Sequence, residues 1–188
     1  MSADVVSRLR PAPGLASDAV ATCVAELDEL RGRLVEATRT LTPAQLCWQL
    51  RPGTNTIGML LAHVAVAETH IGQVGLLRER DGHVHDVLGI TVEDEGLPLA
   101  PGGPPAPALT GRDSAFFADL LARAGAHTRR AAAGLGDAEL DLDIVRPPRP
   151  DGTVRIFTRR WLLFHMVEHA AGHLGQIQLL RHLLPPEV

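Results

Sequence analysis

The stretch Thr158–Leu184, TRRWLLFHMVEHAAGHLGQIQLLRHLL, decides the fold and carries the chemistry. At about 100° per residue, Leu162, His165, His169, Gly172, His173, Gln176 and Leu180 share one helical stripe, flanked by Trp161 and Ile177. Histidines and a carboxamide thus stand where a bundle helix would place leucines. A polar group on a packed face costs roughly 1–3 kcal/mol unless it is paired, so several in one row call for a shared partner. A metal ion is one such partner. His169 and His173, four residues apart, stack on successive turns and can converge on one ion. His165 begins the row one turn earlier, but a straight helix rarely bends three successive turns onto one ion. It is expected around the site or in the core. The bland alternative is a row of satisfied core histidines, since HxxxH alone is a weak signal.

Upstream, the chain reads as three further long helices. Ser17 is a plausible N-cap for a first helix to about Thr40, with Val20, Val24, Leu27, Leu30 or Arg31, and Leu34 facing inward. Thr42-Pro43-Ala44-Gln45 predicts a short capped helix pinned by Leu46 and Trp48. After the turn Arg51–Asn55, Thr54 or Thr56 opens a second long helix to about Glu79, with Met59, His63, Val66, Ala67, His70, Val74 and Leu77 inward. His63 and His70 lie two turns apart, roughly 10 Å along the axis, so one ion cannot hold both. A third helix is expected from about Asp113 to Leu135, burying Phe116, Leu120, Leu121, Ala124 and His127 or Thr128. Residues 137–157 look irregular, and Arg149-Pro150-Asp151-Gly152 suggests the tip of a small hairpin. The economical fold is all-α: an antiparallel four-helix bundle with a short accessory helix.

Two segments fall outside that pattern. Residues 1–14 read as a loose arm, and residues 81–110 as a long proline- and glycine-rich loop, floppy or lid-like, with His83 and His85 solvated. At 188 residues the whole chain suits one domain able to bury its own core.

Composition removes several functions. All 18 basic residues are arginine, and lysine and tyrosine are absent, so Schiff-base lysines, P-loop lysines and tyrosine acids are impossible. The scarcity of residues with AT-rich codons, Asn55 being the lone asparagine, points to a GC-rich genome. A net charge of −4 without an arginine-dense face argues against nucleic acid as a partner. No signal peptide is visible and no run looks long enough to span a bilayer, so a cytoplasmic protein with no membrane partner is expected. Cys23 and Cys47 lack zinc-knuckle or CxxC spacing and read as reduced core residues.

In a bundle the second and fourth helices can both face the core, so His63 joins His169 and His173 as a candidate donor set. Three neutral imidazoles leave coordination positions open, as in catalytic sites. Nitrogen donors suit zinc, nickel, copper, cobalt or iron. An open position could activate water, or hold a thiol as its nucleophilic thiolate. Gln176, one turn beyond His173, is placed to orient a ligand, while Glu68 and Glu168 point off the stripe and read as surface or interhelix carboxylates.

LTPAQLCWQLRPGTNTIGMLLAHVAVAETH, followed by HMVEHAAGHLGQIQLLR, resembles the DinB/YfiT-like family, which includes mycothiol-dependent maleylpyruvate isomerases and bacillithiol or mycothiol S-transferases. The resemblance covers nearly the whole chain in element order. It implies a four-helix bundle with a three-histidine metal site on His63, His169 and His173, zinc or nickel being the foremost ions. It also implies a low-molecular-weight thiol as cosubstrate, a small electrophile as its partner, and a homodimer. Many members carry a second histidine at Gly172 and an aromatic residue at His70, so a wider or more polar pocket is expected here. The GC-rich composition favours mycothiol over bacillithiol or glutathione, and Arg51, Arg146 and Arg155 are candidates to meet a thiol's carboxylate. His70, His165 and Gln176 are expected to line the substrate or surround the metal. The rival readings are a hydrolase or lyase using metal-activated water, a non-catalytic bundle that binds a small molecule or metal, and a structural bundle without metal.

Overall fold

A computed structural model describes residues 7–79, 82–97 and 100–186; residues 1–6 of the expected arm and residues 81, 98 and 99 of the expected loop lie outside them. The described residues are mostly helical. Helix α1 spans Asp18–Thr38, α2 Pro43–Cys47, α3 Ile57–Ile71, α4 Val84–Leu88, α5 Ser114–Ala132, α6 Asp137–Leu140 and α7 Arg159–Leu183. Strands β1 (Asp143–Val145) and β2 (Ile156–Thr158) pair antiparallel ahead of α7.

Each long helix starts where a short polar side chain can accept from an otherwise unpaired backbone N–H. Ser17 accepts from Val20, Thr56 from Met59, Asp113 from Phe116 and Thr158 from Trp161. Thr42 and Gln45 close the expected capping box on α2. Helix α3 packs against both α5 and α7, and α1 against the same two. Their shared core holds Leu27, Leu34, Leu60, Leu61, Phe117, Leu120, Met166 and Ile177. Of the alternatives in α1, Arg31 is the one buried, and in α5 Phe117 takes the core position expected of Phe116.

Helix α3 ends earlier than its apolar run suggests. After Ile71 it widens into a π-helical turn over Gly72–Leu76, in which the Leu77 N–H donates to the Gly72 carbonyl. Glycines allow the close packing there: a Cβ on Gly72 would meet the His127 ring at 2.9 Å, and one on Gly75 the Leu162 side chain at 2.5 Å. By length and composition Ile57–Leu76 is apolar enough to cross a bilayer, which corrects the sequence expectation. Because α5 and α7 pack on it, 72% of its most apolar window is buried, and its apolarity serves the core.

Among the described residues, parts of the expected arm and loop are structured. Ala12 is buried and donates its N–H to the Ala21 carbonyl. Within the loop, Val84, Leu88, Ile90, Ala106 and Leu109 enter the main core, while His83 and His85 are exposed. Helix α4 and two 3-10 turns, Glu93–Glu95 and Pro107–Leu109, form there despite the missing periodicity, because anchors scattered along the segment each find a core position. The hairpin follows its turn signal: Gly152 takes φ +81° and donates its N–H to the Arg149 carbonyl at 2.8 Å.

Candidate metal centre

Three imidazoles from two helices meet at one point. His63 projects from the middle of α3, and His169 and His173 from successive turns of α7. The Nε2 of His169 lies 3.0 Å from that of His63 and 3.1 Å from that of His173. All three donor atoms fall within 4.8 Å of one another, and each side chain is half-buried. Nitrogens sharing one ion at about 2.0–2.1 Å stand roughly 3.0–3.5 Å apart, so the two short separations suit a common cation.

The outer ring nitrogens decide which atoms face inward. His63 donates its Nδ1–H to Glu95 Oε2 at 3.1 Å, and His173 donates its Nδ1–H to Gln176 Oε1 at 2.9 Å. A neutral imidazole protonated at Nδ1 carries a bare lone pair at Nε2. Two lone pairs therefore point at His169, whose single ring proton can satisfy at most one. Protonating the cluster is no remedy: burial foremost, then the nearby His173, His63 and His165 rings, lower the His169 pKa to about 3. Burial lowers His173 too, against the bond to Gln176. The donor set has the chemistry of a cation site, with burial disfavouring the protonated forms of His169 and His173 and with His63 and His173 oriented from behind.

Glu95 is the participant that the sequence does not reveal. It lies in the proline- and glycine-rich segment, 32 residues from His63, with no helical register linking the two. Its position is built locally: the Thr91 N–H donates to Asp94, the Asp94 N–H to Thr91, and Gly96 turns the chain at φ +72°. The carboxylate ends up buried, 4% exposed, against His63. The signal in the sequence was only an acidic run, Glu93-Asp94-Glu95.

The other expected residues separate. Gln176 accepts from His173 as described, whereas His165 bonds to Glu168 and stacks on Trp161, its ring centroid 5.9 Å from that of His169. His70 is exposed in a neighbouring cleft with Arg146 and Arg155. Arg51 sits in the turn before α3, where its backbone exchanges hydrogen bonds with Thr54. Gly172 faces open space. Glu68 is an interhelix carboxylate, deeply buried, accepting from Arg31 and Thr128. Cys23 and Cys47 are free thiols, part-buried where core residues were expected, and burial raises the Cys23 pKa.

A family model described as mycothiol-S-transferase matches residues 22–185. A crystal structure of a conserved protein from Enterococcus faecalis superposes with a TM-score of 0.61 at 19% identity, covering 86% of this chain and 94% of that one, a likeness of fold. No curated protein matches the chain in sequence.

Proposed function

Because the chain belongs to the mycothiol-S-transferase family, a DinB/YfiT-like family, we propose that it is a metal-dependent enzyme that activates a low-molecular-weight thiol. Mycothiol is the thiol this reading favours, and the reaction is transfer to, or isomerisation of, a small electrophile. The scaffold in this reading is an antiparallel four-helix bundle of α1, α3, α5 and α7. The protein is read as a cytoplasmic homodimer with no nucleic-acid or membrane partner, by family analogy.

One observation carries the proposal: three imidazole nitrogens converge while Glu95 and Gln176 hold two of the rings from behind. His63, His169 and His173 would hold a divalent transition metal, zinc or nickel foremost. Such an ion supplies the positive charge that lets a thiol ionise near neutral pH. The chain contributes the rest. Burial disfavours the protonated forms of His169 and His173, and the His63 side chain keeps 25% of its surface exposed, leaving a side from which a thiol can approach. In a transfer the thiol loses its proton to solvent, a sulfur–carbon bond forms, and any displaced group leaves with its electron pair.

The test is elemental mass spectrometry on untagged protein, followed by conjugation assays with mycothiol and an electrophile panel. About one transition-metal ion per chain is expected, with metal and thiol consumption both lost in His169→Ala. Protein that stays metal-free after incubation with zinc and nickel would overturn the reading. Turnover without thiol, with water entering the product, would replace it by a hydrolase.

A further inference from the structure

Beside the imidazole cluster lies a cleft of about 210 Å3, walled by the end of α3, the β1–β2 hairpin and the first turns of α7. One wall is a stack of rings. Phe157 lies against Trp161 with centroids 4.8 Å apart and planes 20° apart, and Trp161 against His165 at 4.7 Å and 17°. The Arg155 guanidinium covers Phe157 at the far end, 4.7 Å from its centroid. At the near end, His165 approaches His169. Both faces of Trp161 are thus occupied by its neighbours, and what it offers to the cleft is its edge. Aromatic edges carry positive partial charge and meet the π-face of a ring or an anion favourably.

The hairpin adds full charges. Arg146 donates its backbone N–H to the Arg155 carbonyl, one step beyond the Val145–Ile156 pair, so the two arginines stand opposite each other across the strands. Like charges directly opposite are destabilising, and among the described residues neither guanidinium pairs with a carboxylate. Among the described residues, no acidic side chain lines this cleft. The pKa of His70, across from them, is lowered by partial desolvation and then by Arg146. An anion would neutralise both guanidinium groups, and the cleft, smaller than the roughly 300–1,000 Å3 of drug-sized sites, suits a single ring or a short conjugated chain. Past His70 and Arg146 it adjoins a larger cleft of about 820 Å3 that also holds Glu79 and Asp143.

We propose that this cleft is the subsite for the electrophile and takes a small planar carboxylate, aromatic or conjugated, with its carboxylate on Arg146 and Arg155 and its face along the ring edges. Its other end then points past His165 toward His169. The catalytic sense of the site rests on the thiol-transfer reading above; the binding does not. The proposal gives two of the arginines a different partner from the thiol.

The experiment titrates trans-cinnamate and the neutral cinnamamide into the full chain, stripped of metal and without thiol, following the two tryptophan indole N–H signals by NMR. Cinnamate is expected to move the Trp161 signal and leave Trp48 in place, and the amide to bind about tenfold more weakly. Arg146→Gln and Arg155→Gln should each weaken cinnamate about tenfold while leaving the amide unchanged, and Arg149→Gln, at the exposed hairpin tip, should weaken neither. Equal binding of acid and amide, unchanged affinity in both cleft variants, or no binding of cinnamate would overturn the proposal. Since the assay uses neither metal nor thiol, binding can persist in a protein that proves inactive. Conversely, thiol transfer by a protein that ignores cinnamate would sink the subsite and spare the function.

Discussion

Glu95 and Gln176 perform the same task from different environments, and the difference sets what each is worth. Glu95 is buried and ionisable, so its bond to His63 is charge-assisted, whereas Gln176 is exposed and neutral. Partners of this kind typically contribute 10- to 100-fold in metal affinity. Glu95→Ala should therefore weaken zinc binding by roughly that factor in competition titrations with a chromophoric chelator, and Gln176→Ala by less. Glu95→Gln, which still accepts from Nδ1, should fall between wild type and Glu95→Ala. His169 gives a second prediction. Its folded pKa is about 3 against an ordinary 6.5, so below about pH 6.5 the unfolded chain takes up a proton that the folded chain refuses. Its contribution is full above that pH and is lost on acidification toward 3. His70, His127 and His173 are displaced in the same direction. Urea midpoints of metal-free protein should fall between pH 7 and pH 4.5, and fall less in His169→Gln; equal slopes would remove His169 from the acid response.

At the scale of elements, the segment between α3 and α5 matters most, because it delivers Glu95. It is tied to the turn before α3: Gly53 donates its N–H to the Gly103 carbonyl at 3.0 Å, and the Gln49 side chain donates to the same oxygen. Gly53 adopts φ +84°, and a Cβ there would collide with the Gly102 backbone nitrogen, which cannot swing aside as a side-chain tip could. Left-handed backbone alone costs a non-glycine residue about 1–2 kcal/mol. Gly53→Ala is expected to lose at least about that much stability, and the amides of Ala100, Gly102, Gly103 and Ala106 should exchange faster with solvent. Hydrogen exchange that speeds up uniformly, or not at all, would show that the segment is held elsewhere. Helix starts were legible in the sequence, since each cap is a local bond. The π-helical turn and α4 were not, because both exist through contacts with distant residues such as His127 and Leu162, and through Val84 and Leu88 finding a core that other helices provide.

For the whole molecule, the imidazole cluster joins α3 to α7, so an ion held there would link two of the four long helices and bind only the folded chain. A ligand at 100 times its dissociation constant adds about 2.7 kcal/mol. For a chain of this length that corresponds to a rise in Tm of roughly 5–10 °C. Zinc or nickel should produce such a shift in wild type and not in His169→Ala, and a chelator should reverse it; a metal-independent Tm would mean that the imidazoles hold nothing tightly. By itself the sequence determined the helical class, the four long helices with their caps, the hairpin turn and the pairing of His63 with His169 and His173 as candidates. Those features are encoded in spacing of a few residues, or in a motif pair that resembles a known family. Only the tertiary structure decided that Glu95 backs His63, that Arg31 and Glu68 meet inside the core, and that His70, Arg146 and Arg155 share a cleft with Trp161. Each of these joins residues with no common periodicity, and burial and hydrogen bonding select such partners only once the helices have packed.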